Sequence, residues 1–232
     1  MKIAVMQPYL FPYVGYFQLI HSVDKFVILD DVNFINRGWI NRNRILVNNA
    51  DNIFTIPLKD ASQNKKICDT FISEDLKWQE KLLKTIEMAY KKAPFFKEAF
   101  RVLQEIIQIN EKNLSAYIFN SLTSINNYLE IPTTMVPSSG IYQNGHLKAQ
   151  DKILDICMQE KANHYINPIG GLELYSQAEF AVRDIKLNFI KSEAIEYKQF
   201  TYEFIPWLSI IDLMMFNSKD QLVNFIEQYS LI

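Results

Sequence analysis

The chain has 232 residues, 49% of them apolar, with a formal net charge of −2. That length and apolar content suffice for the core of one large domain and exclude a disordered chain. The charge balance gives no electrostatic case for nonspecific nucleic-acid binding, and no apolar run approaches the ~18–20 residues of a membrane span. Cys68 and Cys157 stand far apart, outside any CxxC pair, as free thiols in a reducing compartment do. The N-terminal stretch is broken by Pro8 and Pro12 and lacks the continuous apolar region of a signal peptide. A soluble cytoplasmic protein, with neither membrane nor nucleic-acid partner, is expected.

Ile3–Met6 read as a short buried strand and Phe26–Leu29 as a second. Between them a loop holding Gln7, Pro8, Pro12 and Gly15 leads into one short apolar helix. Trp39–Leu46 and Ile53–Leu58 are β-prone runs joined by the turn formers at 48–52, a hairpin pattern extended by Cys68–Ile72. Three apolar-striped helical patterns follow, around Leu82–Tyr90, Phe96–Ile107 and Leu114–Leu129, the last stopped by Pro132. Thr133–Val136, His164–Asn167 and Leu187–Ile190 read as further strands, with a helix over Lys148–Lys161 between the first two. Ser176–Glu179 and Ser218–Gln221 match the capping-box pattern, and the tail predicts helices near Trp207–Phe216 and Lys219–Tyr229.

Strands near residues 3, 26, 133, 164 and 187 alternate with helices. The expected fold is α/β: a mostly parallel five-stranded Rossmann-like sheet with a β-hairpin and an inserted three-helix subdomain. It forms a single domain over 1–232, with the hairpin extension at 38–73 and the helical insertion at 75–130. In a parallel sheet the loops Gln7–Pro8, Pro137–Gly140 and Asn167–Gly171 share the carboxyl edge, where ligands bind in open α/β folds.

Several residues at that edge carry chemistry. In position, Tyr13-Val14-Gly15-Tyr16 resembles the HxGH motif of nucleotidyltransferase-like folds, with tyrosine in place of both histidines. The imidazoles that would stabilise a transferring phosphoryl group are therefore missing, and the aromatics can equally serve packing. Asp30 follows the second strand and is the candidate base or acceptor for a sugar hydroxyl; a solvated turn acid is the alternative. On a strand, Arg42 and Arg44 face one side about 7 Å apart, with Asn41 and Asn43 on the other. Such a pair can clamp a diphosphate, beside a Trp39 able to stack on a base or sugar, or can form surface ion pairs. Lys148 near a helix start hints at an anionic partner. His21, His146 and His164 show no metal spacing, and no metal site is expected. No Walker loop, GxGxxG or GxSxG motif occurs, and the sequence names no cofactor.

The segments QPYLFPYVGYFQLI, DDV, WINRNRI and HLKAQDKILDICMQEKANHYINPIGG together resemble the WbqC-like protein family over nearly the whole chain. The matching residues are Gln7, Pro8, Pro12, Gly15, Tyr16, Asp30, Trp39, Asn41, Arg42, Asp151, Gly170 and Gly171. Family members occur in O-antigen and other surface-polysaccharide gene clusters. The resemblance therefore implies a role in making or decorating activated sugars, but it carries over no catalytic assignment. The expectation is a transferase acting on a nucleotide-linked amino sugar by acyl or aminoacyl transfer. Arg42 and Arg44 would hold phosphates, Asp30 would be the base, and Gln7, Tyr13, Gly15, Tyr16, Trp39, Asn41, Lys148, Gly170 and Gly171 would complete the pocket. The alternatives are a non-catalytic nucleotide- or sugar-binding protein on an eroded nucleotidyltransferase-like fold, and a homo-oligomer assembled through the helical insertion.

Overall fold

The computed structural model describes residues 1–75, 77–200 and 203–232. Position 76, within the segment read as a helical insertion, and positions 201–202 lie outside the described residues. The apolar run at the start forms β1 (Lys2–Met6), and after the Gln7–Tyr13 loop the chain enters α1 (Val14–His21). It returns in β2 (Lys25–Ile28), parallel to β1.

Next, β3 (Arg42–Val47) and β4 (Ala50–Thr55) form an antiparallel hairpin. Asn48 and Asn49 have φ of 50° and 61°. The hairpin thus closes through two left-handed residues, a geometry matched to strand twist and tolerated by asparagine. The turn is tighter than the 48–52 cluster suggests, and Trp39–Asn41 precede the strand instead of opening it. Nor does Cys68–Ile72 extend the hairpin. Ile67–Asp69 form a 3₁₀ turn, and β5 (Leu58–Lys59) pairs only with β6 (Phe71–Ile72) in a separate ribbon. Pro57, which has no N–H to donate, ends the hairpin ladder just before β5.

Three helices follow, α2 (Lys77–Tyr90), α3 (Phe96–Ile107) and α4 (Leu114–Tyr128). Asn113 caps α4 by accepting from the Ala116 N–H at 3.0 Å. The sheet resumes with β7 (Thr134–Val136), α5 (Ala149–Gln159), β8 (His164–Pro168), α6 (Gln177–Ala181) and β9 (Lys186–Ser192). No regular element is described between Ser192 and Ile210. The chain ends with α7 (Ile210–Phe216), α8 (Lys219–Ile226) and β10 (Tyr229–Leu231). The helix read near Trp207 therefore begins only after Ser209, its N-cap. Ser218 and Gln221 form both capping-box bonds, whereas Ser176 makes no side-chain cap bond and Glu179 pairs with Arg183 instead.

The sheet order is β10-β9-β8-β1-β2-β7, with every pair parallel except β10–β9. It has six strands, not five; β10 follows a helix directly and its three residues are too few to show a period. Numbered among the parallel strands alone, the order is 3-2-1-4-5, so the chain reverses its direction of growth between β1 and β8. Ala4, Phe26, Ile28 and Ile166 face one apolar cluster with α1, α4, α7 and α8. Ile3, Val5, Val27 and Tyr165 face another with α5 and α6. Burial on both faces explains why these strands read as continuous apolar runs. The helices α2–α4 share the first cluster. Among the described residues, no helix is long and apolar enough to cross a membrane.

Candidate ligand cleft

Because β1, β2, β7, β8 and β9 run parallel, the residues after them share one edge of the sheet: Gln7, Asp30, Ser138, Gly170 and Glu193. Two adjoining cavities open there. The smaller, about 260 Å³, is lined by Tyr9, Pro12, Tyr13, Trp39, Asn43, Arg44 and Trp207. The larger, about 460 Å³, lies past Tyr13 and Trp207 and is bounded mainly by the segment after β9, including Glu193, Glu196, Tyr197, Glu203 and Phe204. Tyr13 and Trp207 line both; their rings meet edge to face at 5.7 Å.

The smaller cavity is shaped by the hairpin and the loop after β1. Trp39 has the guanidinium groups of Arg42 and Arg44 over its ring, at 5.7 and 5.6 Å. The two arginines do face one side, as a period of two requires. Their hydrogen bonds, however, are intramolecular. Arg42 donates to the carbonyls of Gly38 and Arg37. Arg44 donates to Asp51 at 3.0 Å and to the Trp207 carbonyl at 3.3 Å, while its buried Nε has no partner. Asn43, on the opposite face, donates to the carbonyls of Leu10 and Phe11, both at 2.9 Å. It thereby holds Phe11 at φ 42°, a conformation costly for a bulky residue. Tyr16 is a packing residue: its hydroxyl donates to the Gln7 carbonyl at 2.8 Å, and burial pushes it well above the usual tyrosine range. Gly15 makes room for a ring, since a Cβ there would lie 2.5 Å from the Tyr13 side chain. Asn41 donates to the Ile56 carbonyl and, with Arg42, lines a separate, shallower depression.

The other expected residues lie elsewhere along the edge. Asp30 is 2% exposed, and its carboxylate accepts from Ser115, Ser138 and the Ser139 N–H. Next to it, Asp31 pairs with the buried Lys152 and accepts from the Ser139 hydroxyl. Burial pushes the Asp31 carboxyl up, but the Lys152 ammonium and Ser139 hydroxyl outweigh it and hold the group below its ordinary value. Burial, then Asp30 and Asp69, push the Cys68 thiol up to about 11, which keeps it from acting as a thiolate at neutral pH. Lys148 is exposed at the N-cap of α5. Gly171 packs against Asn167, and Gly170 faces open space. So the edge brings Tyr13, Trp39 and Arg44 together, and leaves Asp30, Lys148, Gly170 and Gly171 outside both cavities.

Sequence reasoning missed the second wall. Trp207 is 64% exposed at φ 61°, between the two cavities. Tyr197 is anchored by Asp212, a fully buried acid on α7 that accepts from Tyr197 (2.6 Å), Tyr90 (2.7 Å) and Gln199 (2.9 Å). Burial raises the Asp212 carboxyl, and its three donors only partly offset this. The available signal was length: long stretches without a period inside a compact domain tend to be functional.

The profile of the WbqC-like protein family matches residues 7–224, nearly the whole chain. This chain belongs to the WbqC-like protein family. It is also similar to "Uncharacterized protein Rv1507c" of Mycobacterium tuberculosis, 29% identical over 216 residues that cover 92% of each chain. No solved structure matches it. Among the described residues of this WbqC-like protein, no group of His, Cys, Asp and Glu is gathered that could hold a metal ion.

Proposed function

We propose that this protein is a transferase that attaches an acyl or aminoacyl group to a nucleotide-linked sugar, in the assembly of O-antigen or a related surface polysaccharide. Such a substrate belongs to the cytoplasm, where nucleotide sugars are made. The observation that carries the reading is the aromatic cleft of Tyr9, Tyr13, Trp39 and Trp207 around Arg44, at the carboxyl edge of the sheet. The mostly parallel sheet with its 3-2-1-4-5 order supports a Rossmann-like reading, and Rossmann sheets take nucleotides at this edge. Indole faces stack on a base or on the apolar face of a sugar, and Arg44 supplies a cation for a phosphate. Asp30 enters as a positioning residue, holding the 138–139 loop. Glu193 and Glu196 line the adjoining cavity and are its candidates for taking a proton from an attacking amine or hydroxyl.

Calorimetric titration with UDP-glucose and UDP-N-acetylglucosamine tests this. Binding is expected, and Trp207→Ala should weaken it by about tenfold, the scale of one lost base-stacking contact. Absence of binding, or unchanged affinity in both Trp207→Ala and Arg44→Gln, would refute the assignment. A second reading, binding without turnover, is favoured by the tyrosines at 13 and 16 and the enclosure of Asp30. Transfer from an acyl donor to a bound nucleotide sugar would exclude it.

A further inference from the structure

We infer that the larger cavity receives a protonated amine, so that the substrate presents a free amino group and not its N-acylated form. This rests on reading the cleft as a ligand site. The cavity, at about 460 Å³, is within the range of small-molecule sites. The described residues lining it include three acidic side chains, Glu193, Glu196 and Glu203, the last already engaged in an interaction within the protein, and no Lys, Arg or His. Its remaining character is aromatic, from Tyr13, Tyr197, Phe204 and Trp207. Carboxylates beside aromatic rings favour a cation twice over, through Coulomb attraction and through the ring quadrupole. The same chamber disfavours a phosphate, which would meet the carboxylates of Glu193 and Glu196.

The neighbouring cavity is lined by a cation instead, Arg44, whose guanidinium also pairs with Asp51 outside the lining, and the Tyr13–Trp207 pair divides it from the acidic chamber. The cleft is thus charge-separated across one pair of rings. A ligand that fits has an anionic part over Arg44, an apolar body against Tyr13 and Trp207, and an ammonium toward Glu193 and Glu196. A nucleotide-linked sugar with an unmodified amine has these parts in this order. Its N-acetyl counterpart loses the charge and leaves the carboxylates unmatched.

The chamber can be tested without a nucleotide. Phenethylamine and its neutral analogue 2-phenylethanol, titrated into the full chain by saturation-transfer NMR, differ mainly in the charged group. The amine should bind at least tenfold tighter, and the double variant Glu193→Gln/Glu196→Gln should bring the two within twofold. Each single variant should lose part of the preference; both positions are exposed, so folding is not at stake. Equal binding, binding of neither probe, or a preference that survives in the double variant would overturn the inference. UDP-glucosamine against UDP-N-acetylglucosamine then separates the two readings. If the N-acetyl form binds as tightly or tighter, the amine chamber is refuted and the nucleotide-sugar reading stands. If phenethylamine binds and neither nucleotide sugar does, the chamber stands and the nucleotide-sugar reading falls.

Discussion

Gly15 lies directly beneath the Tyr13 ring, and the two residues set the shape of the cleft together. Gly15 is the second residue of α1, where alanine suits the backbone and lowers the conformational entropy of the unfolded chain, a gain of about 0.4–1 kcal/mol. The alanine methyl group would displace the Tyr13 ring from Trp207. Gly15→Ala should therefore leave thermal stability unchanged or slightly raised while weakening ligand binding at least tenfold, read by melting and calorimetry on the same preparation. The spacing of Tyr13, Gly15 and Tyr16 was legible in the sequence, but the role of each was not. Tyr16 faces the core and Tyr13 the cleft, a difference set by tertiary packing on Phe26 and Trp207. Likewise, a two-residue period placed Arg42 and Arg44 on one side. No local pattern reveals that Arg44 meets the Trp207 carbonyl across 163 positions.

At the level of elements, two buried acids tie the loops to the scaffold, and they titrate in opposite senses. Asp31 joins the end of β2 to α5 through Lys152. Its folded pKa is depressed, so its stabilisation is present above the ordinary value of 3.8 and is lost as pH falls through the folded value. Asp212 joins the segment after β9 to α7 and α2, and its folded pKa is raised. Ionising it costs folded-state stability as pH climbs from 3.8 through the raised value. Urea melts across the acid range should show the deficit of Asp31→Asn growing with pH to about 3 kcal/mol, the cost of an unpaired buried charge. The deficit of Asp212→Asn should shrink at higher pH, from 3.8 up through its raised folded value. A deficit for Asp31→Asn that is flat with pH would mean the ion pair contributes nothing. The partners of both acids are invisible to pattern reading, because they come from distant segments, although Asp31 itself stood out in the DDV after the second strand. The parallel strands and helices were legible from alternation and apolar runs. The ribbon of β5 and β6 was not, because its two-residue strands carry no period.

Across the whole molecule, the 3-2-1-4-5 order gathers the cleft from segments far apart in the chain: residues 9–14, 39–44, 192–197 and 203–213. The convergence of loops at the carboxyl edge was legible once a parallel sheet was assumed. Which loops enclose a cavity was not, since that depends on the irregular segment after β9. The tryptophans follow this division. Of the three in the chain, Trp39 and Trp207 line the cleft, while Trp78 packs edge to face on Tyr117 in the helical layer. The protein therefore carries its own optical reporter. Its intrinsic emission comes from two indoles at the mouth of the site and one remote from it, and any occupant should quench or shift the first two alone. Trp78→Phe should leave a ligand-induced change in fluorescence intact, and Trp207→Phe should remove much of it.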